Sequence, residues 1–209
     1  MEENYTNVQT STHIHRDDTA SKMGMWLFLL TEILLFGGLF LLYLSYRFQY
    51  SHEFFISAKE LNIVLGTINT IFLLTSSLTM ALSIAAMQRG HRKFSIFMML
   101  STLSFALGFM IIKYIEWTTK FSHGIIPGSE SLTSRPHGEV IFYGMYFSMT
   151  GLHAVHVIVG AVIISFLLVF VIKRKITPDN YAKLENAGLY WHLVDLIWIF
   201  LFPLFYLIT

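Results

Sequence analysis

Residues 23–43 read MGMWLFLLTEILLFGGLFLLY, an apolar run that contains a single charged side chain, Glu32. A helix needs about 20 apolar residues to cross the hydrocarbon core of a bilayer, so this run is long enough to span a membrane. Counted from Lys22, Glu32 lies roughly 15 Å along the helix, near the middle of the bilayer. A carboxyl group at that depth must be neutral, paired or turned toward a polar interior, and such groups usually mark a function. We therefore interpret Glu32 as a functional residue.

The composition predicts a membrane protein. Hydrophobic residues make up 55% of the 209 residues and charged residues only 13%, whereas soluble domains carry about 25% charged residues. The net charge of +1 gives no indication of a nucleic-acid partner. The absence of cysteine excludes disulfides, thiolate metal sites and thiol nucleophiles.

Four further apolar runs follow the first and are separated by polar loops. They cover about residues 61–87, 94–117, 140–172 and 188–208. We therefore predict an all-α fold, a polytopic membrane bundle with five transmembrane helices. The run at 140–172 is longer than a bilayer requires, so its helix should tilt or project beyond the membrane. The predicted organisation is a polar N-terminal tail, residues 1–22, followed by one five-helix domain, residues 23–209.

The distribution of lysine and arginine predicts the orientation. With five spans the two termini lie on opposite sides, and the side with more Lys and Arg is normally cytoplasmic. The N-terminal side carries Arg16, Lys22, Arg89, Arg92, Lys93, Lys173, Arg174, Lys175 and Lys183; the other side carries Arg47, Lys59, Lys120 and Arg135. We therefore expect a cytoplasmic N-terminus and an external C-terminus.

The fourth span contains two histidines three residues apart, His153 and His156, which should share one face of the helix. They could form a metal pair or a proton relay. The alternative, which we favour, is that they pack at a helix contact, because Gly151, Ala154 and Gly160 nearby favour close helix packing.

The other two polar pairs lie near span ends. His192 and Asp195 share a face near the start of the fifth span, where they could be functional or form a structural ion pair. Lys113 and Glu116, near the outer end of the third span, are expected to form a pair at the level of the membrane surface. These depths leave only Glu32 and the two histidines of the fourth span near the middle of the membrane, fewer side chains than a di-iron site uses.

The residues alone leave two interpretations open. One is a non-catalytic helical subunit whose buried polar groups serve a larger complex. The other is a small membrane enzyme or carrier with its own proton-active Glu32. Composition does not decide between them.

Four segments in order carry a resemblance to a known family. They are GMWLFLLTE at residues 24–32, EW at 116–117, FSMTGLHAVHVIVG at 147–160 and YWHLVDLIW at 190–198. Together they resemble subunit III of the haem–copper cytochrome c oxidases, from about residue 22 to the C-terminus. The histidine and Trp-His-x-x-Asp-x-x-Trp segments are specific in combination.

The resemblance implies an integral membrane subunit with no haem or copper of its own. It implies haem and copper in partner subunits, direct packing against the catalytic subunit I, neighbouring subunit II and bound structural phospholipids. It also implies a role in sustaining proton uptake and turnover in aerobic respiration, in a bacterial cytoplasmic membrane. On the family pattern, Glu32 is the buried functional carboxylate, and the recurrent polar positions are His153, His156, His192, Asp195 and Glu116.

The chain departs from the long, mitochondrial-type form, which carries two more helices before the segment that matches residues 23–46. The lipid cleft of the long form lies beside that helix pair, so a partner subunit would have to supply the missing wall here. The short form also resembles subunit III of quinol oxidases and an accessory protein of nitric oxide reductase. Glu rather than Asp at position 32 favours a cytochrome c oxidase, with the quinol oxidase as the alternative.

Overall fold

The computed structural model describes residues 2–126, 128–178 and 180–208, with side chains from residue 20 onward. Among these residues the chain forms seven helices and no strand. They are α1 (Glu2–Gln49), α2 (Ser51–Lys59), α3 (Ile63–Gln88), α4 (Arg92–Ser122), α5 (Glu130–Thr133), α6 (His137–Ile172) and α7 (Ala182–Tyr206).

Five of these helices are long and apolar enough to cross a membrane, as the sequence predicts. The spans are Ala20–Gln49, Ile63–Gln88, Arg92–Ser122, His137–Ile172 and Ala182–Tyr206. The helix over the longest apolar run, α6, is also the longest of the last four spans, at 36 residues. The helices extend past several apolar runs because backbone hydrogen bonds continue into polar sequence, where side chains can reach water.

The division between a tail and the first span is not visible in the backbone. Helix α1 runs from Glu2 through the predicted boundary at residue 22 without a break. Met1 and the side chains of residues 2–19 lie outside what the structure describes. The tail as a separate unit therefore stays a prediction.

Helix α2 lies in a segment that the sequence indicated only as a polar loop. Its buried residues are Phe54, Ser57 and Ala58, at helical spacing on one face. The Phe54 ring packs edge-on against Phe142 of α6, with 5.3 Å between centroids. A nine-residue amphipathic helix at the membrane edge is too short to give an apolar run, so burial against α6 is what stabilises it.

Helix α7 is the most buried span and α1 the least. Helices α3 and α4 form a hairpin that packs against α7 and α6, while among the described residues α1 contacts α2, α6 and α7 alone. One face of α1 is fully open, with Leu27, Leu34 and Leu41 spaced seven residues apart and each more than half exposed. The first span therefore lies at the edge of the bundle.

Small residues and hydroxyls make the helix contacts, as is usual in membranes. A Cβ atom added to Gly160 of α6 would lie 2.8 Å from the Trp191 ring of α7, so only glycine permits this approach. Between α3 and α4, the Thr79 and Thr102 hydroxyls lie 2.8 Å apart. The expected close packing around the fourth span is thus present at Gly160.

Candidate functional site

Glu32 and His156 form a pair between α1 and α6. The Glu32 Oε2 atom lies 2.9 Å from His156 Nε2. On its other side, His156 Nδ1 lies 2.8 Å from the Leu152 carbonyl oxygen. Because a carbonyl only accepts hydrogen bonds, Nδ1 carries a proton. One further proton then lies between Glu32 and Nε2, either as a carboxylic acid beside a neutral ring or as a carboxylate beside an imidazolium.

Aromatic side chains hold the His156 ring in place. The Phe36 ring of α1 meets it edge-on at 5.4 Å between centroids. Tyr190 of α7 stacks on it at 6.5 Å and donates its hydroxyl proton to the His156 carbonyl oxygen, 3.1 Å away. The pair therefore joins three helices, and together with the Lys22–Glu185 and Tyr43–Leu204 contacts to α7 it fastens α1 to the bundle.

The pair opens onto a groove rather than lying sealed inside the bundle. The groove has a volume of about 570 Å³, lies between α1, α6 and α7, and is lined by apolar side chains along most of its length. Lys183 and Asn186 lie in its wall near the start of α7. The Glu32 and His156 side chains are 15% and 14% exposed. The carboxylate that the resemblance implies to be buried is therefore only partly buried, because α1 is a peripheral helix and Glu32 lies where α1 meets α6.

His153 does not join His156. It is fully buried, and neither of its ring nitrogens has a hydrogen-bond partner in the part of the chain described. Its ring packs between Phe109, at 5.5 Å, and Trp198, at 5.2 Å. Positions three apart on a helix differ by about 60° in direction, which suffices to turn the two rings toward different helices. The geometry supports packing for His153 and not a histidine pair.

Within the described residues, no three His, Asp, Glu or Cys side chains come together in a way that could hold a metal ion. The metal-pair interpretation of the fourth span therefore receives no support from the geometry.

Lys113 and Glu116 form the expected pair, and it is buried inside the bundle. Their side chains are 3% and 4% exposed, with Lys113 Nζ 2.9 Å from Glu116 Oε2. Tyr206 of α7 donates to Glu116 Oε1 at 2.5 Å and accepts from Lys113 at 2.7 Å. Tyr146 of α6 donates to the same Oε1 atom at 3.0 Å. Helix α4 continues to Ser122, and tyrosines from two neighbouring helices cover the pair, which the depth count could not show.

His192 and Asp195 do not form the ion pair that their spacing allows. His192 Nδ1 lies 2.6 Å from the Ser77 hydroxyl of α3. Asp195 is 3% exposed, and neither carboxyl oxygen has a hydrogen-bond partner among the described residues. Both side chains point toward Ser77 of α3. Nothing in the local sequence of α7 indicates a serine on another helix.

The chain matches the family model described as cytochrome c oxidase subunit III over residues 6–209. It is similar to the protein named "Probable quinol oxidase subunit 3" of Staphylococcus haemolyticus (strain JCSC1435), with 32% identity over all of this chain and 97% of the relative. The protein of the same name from Staphylococcus aureus (strain USA300) is 31% identical over the same shares of both chains.

Proposed function

This chain belongs to the cytochrome c oxidase subunit III family and is a multi-pass membrane subunit of a multi-subunit haem–copper oxidase; we propose that within that complex it has no catalytic centre and supports subunit I. The role of this chain is to stabilise the proton-uptake side of subunit I during turnover in aerobic respiration. The haem and copper of the reaction belong to partner subunits.

The observation that carries this proposal is the Glu32–His156 pair. It links the peripheral helix α1 to α6 within the apolar part of the first span. Both nitrogens of His156 are engaged, one by Glu32 and one by a backbone carbonyl. No further titratable side chain described in the structure hydrogen-bonds to the Glu32 carboxyl or the His156 ring, and Tyr190 reaches only the His156 backbone carbonyl, so the pair has no chain of partners along which a proton could cross the membrane. We infer that Glu32 positions α1 for its partner and does not carry pumped protons.

The histidines of the bundle also favour a subunit without its own haem. His156 is held by Glu32, and the His153 ring is enclosed between Phe109 and Trp198. Axial ligation of a haem by either ring would require these contacts to open. The apolar groove beside Glu32 is suited to an acyl chain, and we propose that structural phospholipid and the partner subunit fill it together.

The names of the relatives favour quinol as the electron donor of the complex. The preference for cytochrome c rests on Glu rather than Asp at position 32, a single position. The relatives named quinol oxidase subunit 3 match over the full chain. We therefore propose a proton-pumping quinol oxidase of a bacterial cytoplasmic membrane, with a cytochrome c oxidase as the second candidate.

Affinity purification of the tagged chain in mild detergent tests the proposed role. We expect it to co-purify in equal amount with a haem–copper subunit I and to show no visible chromophore after separation from it. Recovery of the chain without subunit I, or with stoichiometric haem or iron of its own, would contradict the proposal. Oxygen consumption by the intact complex with a reduced quinol and with reduced cytochrome c then decides the donor.

A further inference from the structure

A second cavity lies at the end of the bundle where α3 begins and α4 ends. Its volume is about 550 Å³, and its walls include Asn62 from the start of α3 and Glu116, Thr119 and Lys120 from the end of α4. We call it the α4-end cavity. It shares no lining residue with the groove beside Glu32. Neither the sequence pattern nor the family assignment gives it a role.

Lys120 is the side chain that indicates a polar occupant for this cavity. It is only 6% exposed and lines the cavity. Its ammonium lies 5.6 Å and 5.7 Å from the Tyr143 and Tyr146 ring centroids, but it makes no hydrogen bond or ion pair with any described residue. Lys120 Nζ is not among the fully buried unpaired atoms, so it opens onto the cavity, where water can accept its three donor protons.

The charges around the cavity point to a neutral occupant. At the mouth, Arg135 Nη1 lies 3.2 Å from Glu60 and 3.1 Å from Glu139. Partial burial lowers the pKa of Arg135, but the two carboxylates outweigh it and raise that pKa above its ordinary value, so the guanidinium stays charged. Arg135 and Lys120, together with Lys113 behind them, balance the carboxylates of Glu60, Glu139 and Glu116. A site whose charges already cancel favours water over a bound ion.

The cavity connects the surface with the buried pair. Glu60 and Arg135 at the mouth are 39% and 30% exposed, and the Tyr143 hydroxyl donates to Glu60 at 2.5 Å. Lys120 lines the same cavity as Glu60 and Glu116. Glu116 lines the inner wall and is itself bonded to Lys113. Basic and acidic groups thus alternate from the mouth to the interior.

From this arrangement we propose that the α4-end cavity is a water-filled half-channel through which the buried Lys113–Glu116 pair exchanges protons with the aqueous phase. A liquid water molecule occupies about 30 Å³, so the cavity has room for several. The step is a single proton transfer: a hydronium ion in the cavity gives its proton to the Glu116 carboxylate and becomes water, while Lys113 keeps its ammonium. The reverse transfer returns the proton by the same route.

The half-channel ends at Lys113. Beyond it the Lys113 ammonium faces the Trp198 ring at 4.7 Å, and the next titratable side chain, His153, has no hydrogen-bond partner. Besides Lys120, the titratable groups at the pair are Tyr146 of α6 and Tyr206 of α7, and both donate to Glu116. His123, at the end of α4, lies in the cavity wall. The pair therefore exchanges protons with one side of the membrane only.

Thiol labelling tests the water in the cavity, since the chain has no cysteine of its own. Thr119 lines the cavity and Thr118, the preceding residue, does not. Both threonines are exposed and donate to the backbone of the preceding turn, so Thr118→Cys is a matched control for Thr119→Cys. In the assembled complex in membranes, a water-soluble, membrane-impermeant maleimide should label Thr119→Cys at least about tenfold faster, because the thiolate forms in water. Equal rates at the two positions would overturn the proposal.

Infrared difference spectroscopy tests the proton exchange. A drop of pH on the side where α4 ends should produce a protonated-carboxyl band that Glu116→Gln abolishes and Glu32→Gln retains. Attachment of the maleimide to Thr119→Cys should plug the cavity and slow this response.

The double variant Lys113→Met, Glu116→Gln serves as the neutral reference if Glu116→Gln alone fails to assemble. A band that persists in both Glu116 variants, or that responds equally fast in the plugged protein, contradicts the half-channel.

These outcomes are separate from those of the proposed function. Co-purification with subunit I tests whether the chain is an oxidase subunit, and it is read before labelling begins. A complex that assembles and turns over but shows no preferential labelling at position 119 removes the half-channel alone.

Discussion

At the scale of single residues, Glu32 and His156 share one proton between α1 and α6. Glu32→Gln keeps the shape and a hydrogen bond to the ring but removes the titration. We predict that it leaves the initial rate of oxygen reduction within about twofold, since a positioning carboxyl does not enter the chemical step. It should shorten the lifetime of the complex during turnover, because α1 is then held less firmly.

The measurement is oxygen consumption followed from the first turnovers until activity decays. Thr31→Ser is the control, because Thr31 is exposed on the same helix and, among the described residues, its hydroxyl bonds to the Phe28 carbonyl alone. Immediate loss of oxygen reduction in Glu32→Gln would show that the carboxyl carries protons needed for each turnover.

The burial of the Lys113–Glu116 pair predicts how its variants change the stability of the subunit. Removing one partner leaves a buried charge without compensation, which typically costs about 3–5 kcal/mol, whereas removing both costs much less. Lys113→Met and Glu116→Gln should therefore each lower the thermal unfolding temperature of the subunit more than the double variant does. If the double variant loses as much stability as the two single variants added together, the two groups are not coupled.

At the scale of helices, Gly160 decides how closely α6 approaches α7. A Cβ atom there would meet the Trp191 ring at 2.8 Å, while one at Gly144 on the same helix would meet nothing within 4 Å. Gly160→Ala should destabilise the bundle by about 1–3 kcal/mol through overpacking. Gly144→Ala should be neutral or slightly stabilising, since alanine favours helix. Thermal unfolding of the two variants side by side measures the difference; similar values would mean that the Trp191 ring can move aside.

The sequence predicts the spans well because hydropathy reports depth along a helix, and depth is what the bilayer selects. It locates Glu32 in the middle of the first span for the same reason. It does not report which neighbour a side chain faces. The burial of Lys113 depends on Tyr146 and Tyr206 from two other helices, and the separation of His192 from Asp195 depends on Ser77 of α3. Such contacts arise only when the helices pack, so local spacing does not predict either of them.

At the scale of the whole molecule, α1 is a helix with one packed face and one open face. Leu27, Leu34 and Leu41 line the open face, and in the complex it meets lipid or a neighbouring subunit. The Glu32–His156 pair lies on the packed face and the α4-end cavity lies elsewhere in the bundle. The two polar centres are therefore independent, which is why variants at one serve as controls for the other.

The orientation of the bundle fixes which aqueous phase the α4-end cavity faces. The excess of lysine and arginine on the N-terminal side predicts that the loop after α6 is cytoplasmic and the loop after α4 external. Single cysteines in this cysteine-free chain separate the alternatives, because Ser134 in the loop after α4 and Thr177 in the loop after α6 are both exposed.

In intact cells, an impermeant maleimide should label Ser134→Cys at once and Thr177→Cys only after the membrane is opened. The reverse pattern would invert the topology. The half-channel would then exchange protons with the cytoplasm.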